Sequence, residues 1–250
     1  LALVTDLHGR DGSAVLSSLR ANRPSLICIA GDLIYGVWPE DGETSPLKSQ
    51  ATVLPFLREC VRIAPTFVSL GNHEVFLDEE DLMELRATGV VVLDNDFIQQ
   101  DGLLIGGLTS AYVTDYRKRK AAANSTTRYP TRYELPRDGR TAPPEVEWLE
   151  EFSSCGGFHI LLCHHTEYIS LIPPETDLVL SGHTHGGQIR FYNPFKREWV
   201  GAYAPGQGLL PRWSKGQYGR MIVSAGLSNT QIIPRLFNPV EIVYINLGVS

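Results

Sequence analysis

The sequence has few of the features that mark redox, membrane-spanning or nucleic-acid-binding chains. Its four cysteines form no CxxC pair, which argues against a zinc knuckle or a redox motif. No apolar run approaches the roughly 18 residues of a membrane span. The formal net charge is −6, so the molecule as a whole is not expected to bind duplex nucleic acid. Leu1 is not a methionine and stands inside an apolar run, so a preceding signal or anchor stays open, and with it a cytoplasmic or a membrane-associated location.

Positive charge is concentrated in two windows. Residues 110–140 hold eight Lys or Arg against three Asp or Glu, and residues 190–220 hold six against one. We expect these windows either to contact phosphate or anionic lipid headgroups or to carry loop charge that meets only solvent. The second window also contains aromatic residues that suit either a membrane interface or the apolar core of a flap over a site. They are Tyr192, Phe195, Trp199, Tyr203 and Trp213.

The chain has 250 residues, a length that suits one large domain, which we predict to span residues 1–250. Short apolar runs alternate with segments of helical spacing, and this alternation predicts an α/β fold with largely parallel strands and helices on both faces. The predicted strands of this first part are 1–5, 25–30 and 66–70, and the predicted helices are 11–22, 46–63 and 78–87. The following runs, 90–95, 96–100 and 102–108, are expected to form a meander.

Polar residues stand where the predicted buried strands end. In chain order they are Asp6, His8, Asp32, Asn72, His73, His164, His183 and His185. Because ligands bind beyond the carboxyl ends of strands in such sheets, we expect these side chains to converge. Carboxylate, imidazole and amide oxygen form a mixed donor set that suits Mn, Fe or Zn. Two such ions, bridged by one carboxylate, would clamp the attacking and leaving oxygens of a phosphoryl displacement.

The same residues fall into five short motifs. The chain has DLH at 6–8, GDL at 31–33, GNHE at 71–74, LLCHH at 161–165 and GHTH at 182–185. In this order the motifs resemble those of the calcineurin-like metallophosphoesterases. The resemblance implies an α/β four-layer sandwich, in which two mixed β-sheets pack face to face and are flanked by helices. It also places the metal site at the carboxyl ends of the strands.

The resemblance implies a role for each motif residue. Asp6, His8, Asp32 and His185 would hold one divalent metal ion. Asp32, Asn72, His164 and His183 would hold the other, with Asp32 bridging the two; Mn²⁺ is the preferred ion, with Fe, Zn and Mg as alternatives. His73 would act with Asp32 and Asn72 in catalysis, protonating the leaving oxygen or stabilising its charge after attack by a metal-bridging hydroxide. His165 stands where the family often has an asparagine, and we prefer His164 as the ligand.

The end of the sequence suggests a branch of the family. GHTHGGQIR, together with the C-terminal GLSNTQIIPRLFNPVEIVYINL, resembles the bacterial phosphodiesterase branch similar to YkuE. That branch includes membrane-associated enzymes and a UDP-diacylglucosamine pyrophosphohydrolase. Purple acid phosphatases share the GDxxY that ends at Tyr35 but lack a first-motif histidine such as His8, so Tyr35 is interpreted as structural. Protein serine/threonine phosphatases carry a GDxxDRG that is absent here.

The sequence therefore predicts a dinuclear-metal hydrolase of a phosphodiester or pyrophosphate bond in a small-molecule or lipid-linked substrate, with peripheral membrane contact. Three alternatives stay open: a phosphomonoesterase acting on a soluble metabolite, a nuclease acting on a single strand, and a non-catalytic scaffold of the same fold. The complete ligand set disfavours the scaffold. Gln188 and Arg190 are further candidates for substrate contact.

Overall fold

The computed structural model describes residues 1–36, 45–110, 144–195, 197–229 and 234–248. Within these ranges the chain forms two mixed β-sheets. The strands of the first sheet are β1 (Ala2–Val4), β2 (Ile27–Ala30), β3 (Thr66–Ser69), β4 (Val91–Leu93) and β15 (Val243–Tyr244). Their order is β15-β1-β2-β3-β4, in which β1 to β4 run parallel and β15 pairs antiparallel with β1.

The second sheet has six strands in the order β13-β14-β8-β7-β6-β5. They are β5 (Asp96–Gln100), β6 (Leu103–Leu108), β7 (Phe158–Cys163), β8 (Leu178–Ser181), β13 (Gly216–Tyr218) and β14 (Met221–Val223). The four central strands are parallel, and the two outer strands are antiparallel to their neighbours. Two hairpins lie outside the sheets: β9 (Arg190–Asn193) with β10 (Glu198–Gly201), and β11 (Tyr203–Ala204) with β12 (Gly208–Leu209).

Helices cover the outer face of each sheet. The helices are α1 (Ser13–Asn22), α2 (Val53–Ile63), α3 (Glu79–Ala87) and α4 (Trp148–Ser154). The first three pack on the first sheet, and α4 packs on the second. Side chains alternate between the two faces of each strand: in β2, Ile27 and Ile29 face the helices, whereas Cys28 and Ala30 face the other sheet. The four-layer α/β architecture implied by the resemblance is thereby confirmed.

Three local predictions differ from the structure. Among the described residues, helices cover one face of each sheet and not both, because the inner faces of the two sheets pack against each other. Residues 90–108 do not form one meander: β4 joins the first sheet beside β3, whereas β5 and β6 form an antiparallel hairpin in the second. The helix predicted over 46–63 begins only at Val53, because the preceding residues form turns. Gln50 stabilises these turns, since its side-chain Nε2 donates to the carbonyl of Pro46 and its Oε1 accepts from the backbone N–H of Tyr35.

The predicted helix start at Asp78 is confirmed. Asp78 accepts a hydrogen bond from the backbone of Asp81, and Asp81 accepts one from the backbone of Asp78, a reciprocal capping box. The first basic window falls almost entirely on residues 111–143, which lie outside the described residues. Across the described ranges, no helix is both long enough and apolar enough to cross a bilayer.

Candidate metal centre

All eight predicted site residues lie at one edge of the paired sheets. The first sheet contributes Asp6 and His8 after β1, Asp32 after β2, and Asn72 and His73 after β3. The second sheet contributes His164 after β7, and His183 and His185 after β8. The site therefore exists only because the two sheets present their strand ends to the same place. The structure tests the placement of these residues, and their roles as metal ligands stay predictions.

The carboxylate of Asp32 lies at the centre of the cluster. Its Oδ2 is 3.0 Å from Nε2 of His164 and 3.8 Å from Nε2 of both His8 and His73. Its other oxygen, Oδ1, accepts a hydrogen bond from the backbone N–H of His73 at 3.0 Å. A carboxylate surrounded in this way is placed as the predicted bridging ligand requires.

One half of the cluster surrounds Asp6. Its Oδ1 is 3.8 Å from Nε2 of His8 and 3.9 Å from Nε2 of His185. The rings of these two histidines stack with their centroids 5.4 Å apart. The backbone N–H of His183 donates to the same oxygen of Asp6 at 3.2 Å, so the fifth motif is attached directly to the first.

The other half contains the tandem histidines of the fourth motif. Nδ1 of His164 lies 2.7 Å from the carbonyl oxygen of Ala30, the anchoring through the remote nitrogen that is usual for metal-ligating histidines. His165, which sequence reasoning did not select, also lies in the site: its Nε2 is 3.1 Å from Oδ1 of Asn72, and its ring centroid is 4.1 Å from that of His183. The repeated histidine in LLCHH was the only sequence signal for it.

Most of the predicted ligands have an unusual backbone conformation. Five of the seven have positive φ: Asp6 (54°), His8 (50°), Asp32 (55°), His183 (66°) and His185 (46°). A left-handed conformation costs a non-glycine residue on the order of 1–3 kcal/mol and persists only where the surroundings impose it. Such residues accumulate at functional sites. The carboxyl ends of these strands are therefore shaped for the site at some cost in local stability.

Glu74 is one of the groups that impose this conformation. It is fully buried, and its Oε2 accepts hydrogen bonds from the backbone N–H groups of Asp32 (2.9 Å) and Gly71 (2.7 Å). Its Oε1 accepts from the N–H of Ile34 at 3.2 Å. Burial and the nearby charge of Asp32 raise the pKa of Glu74 to about 7. The sequence contained Glu74 within GNHE but gave no reason to assign it this role of joining the second and third motifs.

The C-terminal segment fixes the GHTHGGQ loop. Asn238 is buried, and its Nδ2 donates to the carbonyl oxygens of His185 (2.6 Å) and Gln188 (3.1 Å). Gly186 has φ of +64°, and a Cβ there would lie 2.2 Å from Oδ1 of Asn238. Arg235 donates to the carbonyl of Ser228, which also lies 3.2 Å from Nδ1 of His185. The ending that carried the branch resemblance thus stabilises a predicted ligand.

The two residues considered for substrate contact, one at the end of this loop and one just after it, are buried. Arg190 is 8 % exposed, and its guanidinium donates to the carbonyls of Gly186 (3.0 Å) and Trp199 (2.6 Å) and to Oγ of Ser214 (3.2 Å). Gln188 is fully buried. The guanidinium of Arg190 therefore stabilises the loop through hydrogen bonds and does not face the solvent.

Burial and mutual proximity set the protonation states. Burial lowers the pKa of His8 to about 3, and burial with the neighbouring His165 and His164 holds the pKa of His183 well below its usual range. Burial opposes ionisation of Asp32, but the neighbouring His164, His73 and His8 together outweigh it and lower the pKa of this carboxyl. Burial also opposes the charge of His164, but the nearby Asp32 raises the pKa of this histidine to about 10. His164 and Asp32 therefore form an imidazolium–carboxylate pair, and His164 has to lose its proton to bind a metal ion.

The residues fit a pair of divalent metal ions. Nδ1 and Nε2 of His8 are both buried, and neither has a hydrogen-bond partner. Such groups are costly to leave unsatisfied, and a metal ion would satisfy a buried imidazole nitrogen. Among the described residues, four groups of potential ligand atoms each lie within 4.8 Å of one another: Asp6–His8–His185, His8–Asp32–His73, Asp6–Asp32–His164 and His164–His165–His183. Two carboxylates among several imidazoles form a donor set suited to first-row metals.

Gly71 lies beside Asp32, and its substitution tests how the position of Asp32 affects metal binding. A Cβ on Gly71 would lie 2.3 Å from Oδ1 and 2.7 Å from the backbone nitrogen of Asp32. We expect Gly71→Ala to displace Asp32, to lower the free energy of unfolding by about 1–3 kcal/mol and to reduce bound Mn²⁺. Gly156→Ala is the matched control, since nothing lies within 4 Å of its Cβ. Urea unfolding and metal analysis would measure both effects, and equal metal content in the two variants would contradict the prediction.

The family model for calcineurin-like phosphoesterases matches residues 1–187. The chain belongs to this family, as the motif series indicated. Family membership implies divalent metal ions, and the groups of histidine and aspartate described above are where this chain would hold them. The match ends within the GHTHGGQ loop, so the segment with Arg235 and Asn238 lies beyond it.

Relatives of the chain are similar over nearly its whole length. An uncharacterized metallophosphoesterase of Campylobacter jejuni is 26 % identical over 97 % of this chain and 55 % of the relative. A putative metallophosphoesterase of Caenorhabditis elegans is 25 % identical over 99 % of this chain and 48 % of the relative. The chain thus spans about half the length of these curated relatives. Among solved structures, the sulfate thiohydrolase SoxB of Thermus thermophilus is 14 % identical over 88 % of this chain and 37 % of its own, with a TM-score of 0.44.

Proposed function

We propose that this chain hydrolyses a phosphodiester or pyrophosphate bond in a reaction that depends on two metal ions, with Mn²⁺ as the native ion. The observation that carries the proposal is the arrangement around Asp32. Its Oδ2 faces three histidines, His8, His164 and His73, and Nε2 of His73 lies 3.8 Å from it. In the proposed reaction His8 and His164 would be metal ligands and His73 would be the proton donor. This is the arrangement that a metal-assisted phosphoryl displacement requires.

The residues divide into two ligand sets that share Asp32. Asp6, His8 and His185 would complete the first set. Asn72, His164 and His183 would complete the second, with His165 holding the amide oxygen of Asn72 through its Nε2. When bound, two divalent ions neutralise the phosphoryl oxygens and lower the pKa of water, which makes a nucleophile available near neutral pH.

The ring of His73 is oriented with Nε2 toward Asp32. The backbone N–H of Gly36 donates to its Nδ1 at 2.8 Å, so the ring proton resides on Nε2, the nitrogen that faces Asp32. The side chain is 22 % exposed, in contrast to the buried histidines around it. A substrate can therefore reach Nε2, which would protonate the leaving oxygen or stabilise its charge.

The surroundings of His73 favour a substrate with groups on both sides of the phosphorus. Tyr35 is 42 % exposed, and its ring centroid lies 5.8 Å from that of His73. An aromatic face beside the proton donor offers apolar contact to a second substituent, which a diester or pyrophosphate has and a monoester lacks. This contact supports a diester or pyrophosphate over a monoester; the lipid-linked substrate and the branch similar to YkuE are proposed on the sequence resemblance.

Hydrolysis of two model substrates by the metal-free enzyme and after addition of Mn²⁺ tests the proposal. We expect bis-p-nitrophenyl phosphate to be hydrolysed faster than p-nitrophenyl phosphate, and both activities to require the metal. Turnover of the monoester alone would replace the proposal with a phosphomonoesterase. No turnover of either substrate by the metal-loaded protein would favour the non-catalytic scaffold.

A further inference from the structure

The hairpin of residues 190–201, here called the aromatic hairpin, exposes large apolar side chains. Tyr192 and Trp199 are each 51 % exposed, Phe191 is 41 % exposed, and Phe195 in the turn is 96 % exposed. These rings are not isolated on the surface. The centroid of Trp199 lies 6.2 Å from that of Tyr192 and 6.1 Å from that of Phe237, which is itself 77 % exposed. Clustered exposed apolar residues usually mark an interaction site.

The apolar residues lie on both faces of the aromatic hairpin. Tyr192 and Trp199 pair across the two strands and share one face, whereas Phe191 pairs with Val200 on the opposite face. A flat protein surface would cover only one of these faces. The exposed rings lie on both faces and at the turn, so all of them are removed from water only in a medium that surrounds the hairpin. The headgroup and acyl boundary of a bilayer is such a medium.

The residue types match that boundary. Phe, Tyr and Trp are the residues that accumulate at membrane–water interfaces. Arg197 lies in the turn and Glu198 follows it, so charged side chains stand beside Phe195 and would remain at the level of the headgroups. The window 190–220 has a net charge of +5 in a chain of net charge −6. Arg197 and Arg212 are exposed in it, and cationic side chains favour an anionic lipid surface.

The aromatic hairpin is attached directly to the candidate metal centre. Gly201 at its end packs against Gly187, where a Cβ would lie 2.4 Å from the Cα of Gly201. Arg190 at its start donates to the carbonyl of Gly186, next to His185. Its strand β9 also joins the C-terminal segment, since the N–H of Arg190 donates to the carbonyl of Leu236 at 2.9 Å. A lipid surface in contact with the hairpin therefore lies at a fixed distance from the site.

We propose that the aromatic hairpin, together with Phe237, inserts into the interface of an anionic bilayer and holds the metal centre at the lipid surface. The structure favours this role over the core of a flap, because Tyr192, Phe195 and Trp199 are exposed. The inference deepens the proposed function by giving its site a substrate that resides in a membrane. Binding to the membrane itself requires neither metal nor turnover.

Flotation of the chain of residues 1–250 with vesicles tests the inference. One set of vesicles contains equal parts of phosphatidylcholine and phosphatidylglycerol, and the other contains phosphatidylcholine alone. We expect binding to the anionic vesicles that weakens as salt is raised. Phe195→Ser and Phe237→Ser should each weaken it about tenfold, since each removes a phenylalanine from the apolar phase. Met83→Ser and Leu171→Ser are matched controls, because Met83 (60 %) and Leu171 (46 %) are also exposed but lie elsewhere.

The outcomes separate this inference from the proposed function. Hydrolysis of soluble bis-p-nitrophenyl phosphate should be unchanged in Phe195→Ser. Absence of vesicle binding by the unaltered chain would overturn the inference and leave the hydrolase intact. Equal binding by Phe195→Ser and Met83→Ser would also overturn it. A dimer that Phe195→Ser converts to monomer would assign the same surface to a second copy of the chain.

Discussion

Asp32→Ala is expected to abolish metal-dependent hydrolysis while the fold persists. Asp32 Oδ2 faces His8, His73 and His164 at 3.0–3.8 Å, so its removal takes away the group that both ligand sets share. Loss of an outer-shell partner costs roughly 10–100-fold in metal affinity, so loss of a shared ligand should cost at least about 100-fold. Metal analysis after dialysis and turnover of bis-p-nitrophenyl phosphate would measure the two effects.

A second variant separates the charge from the shape of this residue. Asp32→Asn keeps an oxygen that accepts from the N–H of His73, and it preserves the volume of the side chain, but it cannot bridge two ions as a carboxylate does. We expect it to be inactive and folded, as Asn72→Ala should also be. Asp96→Asn, at an exposed position of β5, is the control and should keep full activity. Full activity in Asp32→Asn or Asn72→Ala would refute the ligand assignment.

His73→Ala is expected to retain both metals and to lose most of the rate. The side chain lies at the edge of the cluster, and Gly36 fixes its proton on Nε2. General acid catalysis contributes roughly 10²–10⁴-fold, and the full loss should appear with diphenyl phosphate, whose leaving phenolate needs a proton. With bis-p-nitrophenyl phosphate the loss should be smaller, because nitrophenolate is a weaker base. Steady-state kinetics on the two diesters would measure the difference.

The comparison between the two diesters distinguishes a role of His73 as general acid from its other roles. His73→Gln should behave as His73→Ala does, because glutamine can donate a hydrogen bond but cannot transfer its proton. An equal loss on both substrates would indicate charge stabilisation in place of proton transfer. Unchanged turnover of diphenyl phosphate would remove His73 from the catalytic group altogether. Loss of bound Mn²⁺ in either variant would mean that His73 supports the metal ligands.

Local sequence patterns predicted the α/β class and the composition of the site, whereas the two sheets packed face to face were implied only by the family resemblance. The alternation of apolar runs with helical spacing predicted the α/β class, because burial on both faces of a strand requires a continuous apolar run. The start of α3 at Asp78 was predictable from the sequence, because the hydrogen bonds of a helix cap join residues only three positions apart. The motif residues were predicted to converge because each follows a strand, and parallel strands end at a common edge.

Other features depend on which segments pack together, and only the tertiary structure decided them. Only two residues separate β4 from β5, yet the two strands join different sheets, since pairing depends on the neighbours that each strand meets. Glu74 acts on the N–H groups of Asp32 and Ile34, about 40 positions away, and Asn238 holds a loop 50 positions away. Hydrogen bonds between residues so distant leave no periodic signal in the sequence.

The sequence alone thus determined which residues could form a metal centre and in what class of fold. The tertiary structure decided how they are held: left-handed backbone at five predicted ligands, a buried glutamate beneath Asp32, and a C-terminal segment that fixes His185. It also decided that the rings of the aromatic hairpin face outward, which composition had left open. Exposure and hydrogen bonding are properties of the packed chain, and neither is defined until segments distant in sequence meet.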